Sequence, residues 1–446
     1  MKMTSNILAG RLYDPYLLQL VPNQLIIVSR QTGLVHEVST FSPTSVSQTL
    51  LDDPDTIDLR HLTVVPGFVD AHVHFFLHSY AETSWVDQVT KESLAERTVR
   101  ATVHARQTLM AGYTAVRDLG TEGAEDADIA LRKCLSGPDP IIPGPRYFTA
   151  NRAIVSTGSY GPKGSIHLNN EGVEGVVGAE AADGPAECIR AVRKQIGAGA
   201  DWIKIYADYP IRSRMGDVAP RLAGRAIATF AHDELKVLVD TAHLHGTKIA
   251  AHAKTVPAIS ALLALGVDSL EHGSDLHLSP AALSALARPG CRTVYVPTLA
   301  AYDALARRGG ASAVAAWESA QASFAAVLAL GPGRVALACG GDTGVFPHGE
   351  NTREMALMVR LAAPWAWVLR WGTLGGADCL RGHDPNPEAE GDNAVRFGCV
   401  RAGWAADIVG LDGDIAVDFD TTVRRVEFVM KAGRVYKQGG KEVLLR

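Results

Sequence analysis

From residue 64 to about 365 the chain alternates short apolar runs with stretches of helical pattern, and that alternation admits few folds. Strands that alternate with helices build a parallel α/β sheet. Eight strand candidates can be counted, at 64–70, 113–119, 146–151, 202–207, 248–253, 268–272, 292–299 and 334–340. Residues 92–111 are the clearest helical stretch, with Leu94, Val99, Val103 and Leu109 among the apolar positions. Helical stretches 186–199, 232–246 and 256–266 each end at or near a glycine, as helices commonly do. Eight strands with intervening helices over about 300 residues fit one TIM-type (β/α)8 barrel.

The chain ends read differently. Short strand patterns at 25–28 and 34–38 precede the alternation, and others at 406–411, 423–430 and 435–436 follow it, with a turn at Ala432-Gly433. The expectation is a small β-sandwich domain built from residues 1–63 and 395–446, beside a barrel of residues 64–394. Residues 152–184 and 208–230 break the rhythm after the third and fourth strand candidates. They should lie at the catalytic face, where long loops are commonly lids or pocket walls.

Polar residues of one chemical kind close several of the apolar runs. In Asp70-Ala71-His72-Val73-His74, side-chain alternation points His72 and His74 the same way. Two imidazoles at a strand end can chelate one divalent metal. Lys204, His252, His272 and Asp342 close further runs. A lone His-x-His also arises in packed cores, so the combination carries the reading: metal-ligand types gathered at one end of one barrel. Lys204 is the odd member, because an ammonium binds no metal and an unpaired buried charge is costly. A salt bridge to Asp342 or another acid would satisfy it. Alternatively, desolvation and nearby cations lower its pKa, and the neutral amine adds carbon dioxide to form a carbamate that bridges two metals.

Bulk properties narrow the class. With 47% hydrophobic and 20% charged residues the chain reads as a soluble globular enzyme. A net charge of −5 without a basic block argues against nucleic acid as a partner. No apolar run reaches membrane-spanning length, and residues 1–20 lack a signal-peptide pattern, so a cytoplasmic location is expected. The six cysteines form no CxxC pair, which argues against a zinc ribbon or a disulfide framework. Cys339 reads as packing.

The run from Pro66 to His74, together with Lys204, His252, Glu271-His272-Gly273 and Asp342, resembles the amidohydrolase superfamily. Within it, the set is most similar to the imidazolonepropionase-like and Xaa-Pro or Xaa-Arg dipeptidase branch. The segments 111–118, 348–352 and 402–408 support the likeness. The resemblance implies two divalent metal ions, usually zinc. His72, His74 and Asp342 would hold one ion and His252 and His272 the other. Carbamylated Lys204 would bridge them, with a hydroxide between. Asp342 would take the hydroxide proton and pass it to the leaving group. Two metals about 3.5–4 Å apart can activate hydroxide and polarise a carbonyl together. A homo-oligomer acting on a small molecule, without nucleic-acid or membrane partners, completes the expectation.

There are departures. Gly340-Gly341-Asp342 stands where Gly-Thr-Asp is usual, and the loop 156–161 lacks a common histidine, with Tyr160 and His167 nearby. The usual helix after Ala363 is altered at 371–377. For the pocket, Tyr206 shares a face with Lys204 and could donate to an oxyanion. Lys254, which shares a face with His252, and Arg212 and Arg214 could receive a substrate carboxylate. His78 and Trp85 could line an aromatic pocket, and Tyr160 could contact substrate. His104 is expected at the surface, and His348 is the alternative proton carrier to Asp342. The reading is hydrolysis of an amide bond in an N-acyl amino acid, dipeptide or aryl amide. The alternative is a lactone or cyclic amide cleaved at the same site. A deaminase fits less well, because those relatives generally keep one metal and lack the bridging lysine. Retention of all six ligand positions opposes a metal-free, non-enzymatic assembly protein.

Overall fold

The computed structural model describes residues 3–44, 46–137, 139–160, 178–210, 226–381 and 394–443. Arg212, Arg214 and His167 lie outside the described residues.

Both chain ends share one continuous eight-stranded sheet. Thr4–Asp14, Gln19–Ser29, Val35–Thr40 and Thr56–Pro66 come from the front, and Ile408–Leu411, Val426–Lys431, Arg434–Gln438 and Lys441–Glu442 from the back. The halves meet where Val65 pairs antiparallel with Val409. One face buries Ile7, Ile26, Val64, Ile408 and Phe428 together, as period-two alternation requires. The hairpin between Val426–Lys431 and Arg434–Gln438 turns at Ala432 and Gly433, both left-handed at φ 49° and 74°. A Cβ on Gly433 would stand 3.0 Å from the Gly33 Cα, so the close approach of two turns requires glycine there.

Parallel strands supply the rest. Phe68–Val73, Tyr113–Asp118 and Arg146–Thr149 form one sheet. Glu180–Ala181, Ile154–Val155, Trp202–Tyr206, Lys248–Ala253, Ser269–His272 and Val294–Val296 form a second. Apart from Glu180–Ala181, these strands are mostly buried and carry many fully buried Val, Ile, Leu and Ala residues, as strands covered on both faces demand. Two expected strands need correction. The candidate at 64–70 is divided: Pro66 ends a strand of the terminal sheet, and the first parallel strand begins only at Phe68. The candidate at 334–340 makes no regular strand. It is held by isolated parallel bridges, Tyr295 to Leu337 and Val73 to Thr343. A Cβ on Gly340 would meet the His72 Cβ at 2.9 Å, so this stretch passes too close to its neighbour for an ordinary pleat.

The helix Leu94–Met110 buries a face that only partly follows its expected apolar positions. Leu109 is buried as expected and Arg97, Ala101, His104, Ala105 and Thr108 point inward with it, while Leu94, Val99 and Val103 are 48%, 65% and 45% exposed. The inward set recurs at three- and four-residue steps, one stripe of a helix. Polar members are tolerated because they are satisfied. His104, expected at the surface, is buried, with Nδ1 2.8 Å from the Phe75 carbonyl oxygen and its ring stacked on His348 at 4.2 Å. Arg97 donates to the carbonyls of Phe76, Thr121 and Glu122 at 3.0, 3.1 and 2.8 Å.

Candidate metal centre

The C-terminal ends of the parallel strands converge on a cavity of about 310 Å³. His72, His74, His252, His272 and Asp342 all line it. Ligand atoms of His72, His272 and Asp342 lie within 4.8 Å of one another. The Asp342 Oδ1 stands 3.6 Å from His72 Nε2 and 3.4 Å from His74 Nε2. The His252 and His272 rings are 4.4 Å apart. Two of these residues have strained backbone: His272, at the end of Ser269–His272, has φ 71° and Asp342 φ 60°. Such conformations in residues other than glycine cluster where a site must aim a side chain.

Three rings have one nitrogen committed elsewhere. His72 Nδ1 is 2.8 Å from Glu271 Oε2, His74 Nδ1 is 2.9 Å from the Gly120 carbonyl oxygen, and His272 Nδ1 is 2.7 Å from Thr298 Oγ1. An outer partner at Nδ1 fixes the tautomer and leaves Nε2 as a lone-pair donor, the arrangement that metal-ligating histidines need. His252 Nε2 is buried without a hydrogen-bond partner among the described residues. An orphaned ring nitrogen inside a protein is costly unless something else satisfies it. Burial, helped by Lys204, holds His72, His252 and His272 well below the usual histidine range, so they are neutral and able to bind a cation. The donor set fits divalent metal.

Lys204 lies in the middle of Trp202–Tyr206, fully buried. Burial lowers its pKa to about 8, against the attraction of Glu271 and Asp342. Burial likewise raises the Asp342 carboxyl, while His74 and Lys204 pull it down. Tyr206 stacks on His252 at 4.7 Å and donates its hydroxyl to Glu122 Oε1 at 3.3 Å. Tyr160 and Lys254 also line the cavity. Among the described residues no carboxylate pairs with the Lys254 ammonium, which stands 5.5 Å from the Tyr302 ring centre.

Two expected residues are turned away. His78 is not on the cavity wall: its Nδ1 and Nε2 face Glu82 and Glu92 at 3.0 and 2.8 Å, and these acids hold the ring inside its own loop. Trp85, seven residues on, does line the cavity. His348 is buried with Nε2 2.8 Å from the Leu77 carbonyl oxygen, so it is engaged outside the cavity. Other residues were missed. Glu271 joins His72 to Arg117, whose Nη2 is 2.8 Å from Glu271 Oε1. Asp70 accepts from the His72 and Gly341 backbone at 3.0 and 3.1 Å and from Asn351 at 2.7 Å. The signal for both was a carboxylate beside a ligand in an otherwise apolar strand.

The amidohydrolase family pattern matches residues 63–437. The chain belongs to the amidohydrolase family. This amidohydrolase is 28% identical to ochratoxinase of Aspergillus niger over 397 residues, 84% of this chain and 76% of the relative. It is similar in structure to a Xaa-Pro dipeptidase with methionine bound in its active site, at TM-score 0.78 and 26% identity, covering 97% of this chain and all of the other. Ochratoxinase itself superposes at TM-score 0.75 and 23% identity, over 98% of this chain and 96% of the other. The amidohydrolase therefore has a TIM-barrel-like α/β fold and is a hydrolase acting on carbon–nitrogen bonds. Proteins of its family generally use metal ions.

Proposed function

We propose that this amidohydrolase cleaves the amide bond of a small carboxylate-bearing substrate, a dipeptide or N-acyl amino acid, at a pair of divalent metal ions. The observation that carries the reading is the orientation of the rings: His72, His74 and His272 have Nδ1 engaged, and the Nε2 atoms of His72 and His74 face Asp342. His72, His74 and Asp342 would hold one ion, and His252 and His272 the other. Lys204, as a carbamate, would bridge them. When bound, such a pair supplies a nucleophile near neutral pH and polarises the scissile carbonyl.

The chain's own groups do the remaining work. Asp342 accepts a proton at its carboxylate and delivers it to the leaving nitrogen. Tyr206 turns its hydroxyl from Glu122 toward the developing oxyanion. Lys254 takes the substrate carboxylate, since among the described residues its ammonium makes no salt bridge, though Asp208 and Asp342 attract it from a distance. The cavity is at the small end of ligand sites and suits one or two residues rather than a folded protein. The similar proteins, a Xaa-Pro dipeptidase and an ochratoxinase, support amide cleavage of this kind.

The test is elemental analysis of protein purified without chelator, followed by a screen of dipeptides, N-acyl amino acids, lactones and cyclic amides. About two ions per chain and turnover of the linear amides is the expected result. Turnover of lactones alone would move the assignment to ester chemistry at the same site.

A further inference from the structure

Glu122 has no part in the metal set, yet its carboxylate is built into the cavity wall. The residue is 3% exposed. Its Oε2 accepts from Trp85 Nε1 at 2.9 Å and from the Tyr160 hydroxyl, and its Oε1 accepts from Tyr206. All three donors are neutral. Among the described residues no cation makes a salt bridge to the carboxylate: the charge of Arg97 acts on it, but Arg97 gives its Nε and Nη2 to main-chain carbonyls. Two of those carbonyls belong to Thr121 and Glu122, so Arg97 clamps the loop. The clamp matters because Glu122 has φ 51°, a strained conformation for a residue with a side chain. The fold therefore maintains strain to hold an acid at this spot.

Aromatic rings surround the acid. Trp85 and Tyr160 meet edge to face at 5.4 Å, Tyr160 lies 4.8 Å from Tyr206, and Tyr209 is 5.1 Å from Tyr160. Ring faces attract cations, and a carboxylate has about four lone-pair sites, of which three are used here. Lys254 comes just after the strand Lys248–Ala253, which lies beside the Tyr206 strand in the sheet. The cavity thus carries an acid on one side of Tyr206 and an ammonium on the other.

We infer that Glu122 and its aromatic surround form an ammonium subsite, which takes the free α-amino group of the substrate's acyl residue while Lys254 takes the carboxylate. The substrate class is then the zwitterionic dipeptide rather than the N-acylated amino acid. This rests on the amide-hydrolase reading above and narrows it.

The experiment uses the metal-loaded enzyme and matched pairs of substrates, each dipeptide with and without N-acetylation. Wild-type kcat/KM is expected to favour the free amine. Glu122→Gln keeps the size and removes the charge. It should lower the free-amine to N-acetyl ratio by about 10–100-fold, the scale of a charge-assisted hydrogen bond. Any disturbance of Tyr206 affects both members of a pair and cancels in the ratio. Glu122→Asp, which keeps the charge, should retain most of the preference and guards against a misfolded Gln variant. A wild-type preference for N-acetyl substrates, or an unchanged ratio in Glu122→Gln, overturns the subsite and leaves the amidohydrolase reading standing. No turnover of either member by the loaded wild type would instead remove the reading on which it rests.

Discussion

His72 and Glu271, 199 residues apart in the chain, meet as ring Nδ1 and carboxylate Oε2 at 2.8 Å with neither side chain measurably exposed. Glu271 is in turn held by Arg117, whose Nε also reaches the Ala71 carbonyl oxygen at 2.7 Å. The strands that carry His72, Arg117 and Glu271 are thereby tied by one charged bridge. It fixes the His72 tautomer and so aims Nε2 at the Asp342 side.

Glu271→Gln should weaken metal retention. The amide can still accept from Nδ1–H, but it no longer raises the basicity of the ring or balances Arg117. Loss of such a partner typically costs about 10–100-fold in metal affinity or activity. Competition with a chelator, read as metal retained per chain, checks it. Wild-type retention in a folded variant would remove Glu271 from the design.

Lys204 should gain a carbamate. With its pKa lowered to about 8, a useful fraction of neutral amine exists at mildly alkaline pH. Reloading of stripped protein should therefore quicken as pH rises toward 8 and as bicarbonate is added. Labelled bicarbonate should give a carbamate carbon signal that Lys204→Ala lacks. Equal reloading with and without carbon dioxide counts against the bridge.

Glu354 ties stability to pH. It caps the helix Leu299–Arg307, accepting from the Leu299 and Ala300 backbone at 3.1 and 2.6 Å. Burial raises its pKa to about 8, from an ordinary value of 4.5. The folded state thus binds more protons than the unfolded chain across that window. Its contribution is present in full below pH 4.5 and is lost as pH rises toward 8, by at most about 1.4 kcal/mol per unit. Glu354→Gln cannot titrate, so its stability deficit against wild type should shrink between pH 5 and pH 8 in denaturant titrations. A deficit that is the same at both pH values rejects the assignment.

The convergence of His72, His74, His252, His272 and Asp342 on one cavity was legible because an apolar run precedes each of them, with strand periodicity at the histidines. Lys248–Ala253 and Ser269–His272 begin and end within a residue of expectation for that reason. The Leu94–Met110 helix misled in part because Leu94, Val99 and Val103 face outward, while Arg97 and His104 on its inward stripe are satisfied by carbonyls of other segments. His78 misled similarly, since Glu82 and Glu92 draw it off the wall. Glu122 could not be read at all. Its Gly-Thr-Glu-Gly setting has loop composition, and it is held inward by groups from other segments: Arg97 on its main chain, and Trp85, Tyr160 and Tyr206 on its carboxylate. Contacts that depend on a distant partner leave no periodic trace.

Asp342 should serve as both ligand and proton carrier, and the two tasks can be separated. Its Oδ1 faces His72 and His74 at 3.6 and 3.4 Å, and its left-handed backbone leaves little freedom to rotate away. Burial favours the protonated carboxyl, while His74 and Lys204 favour the charged one. Asp342→Asn keeps the shape and one oxygen donor but cannot carry a proton. General acid–base help is worth ~10²–10⁴ in rate. A loss of that order should appear in kcat with KM little changed, because the interaction is made in the transition state. Metal content measured on the same sample separates the two tasks, since a lost ion would depress kcat as well. An Asn variant with both ions and wild-type kcat would assign the proton to another group. His348 is a poor substitute, because its Nε2 is already engaged by the Leu77 carbonyl oxygen.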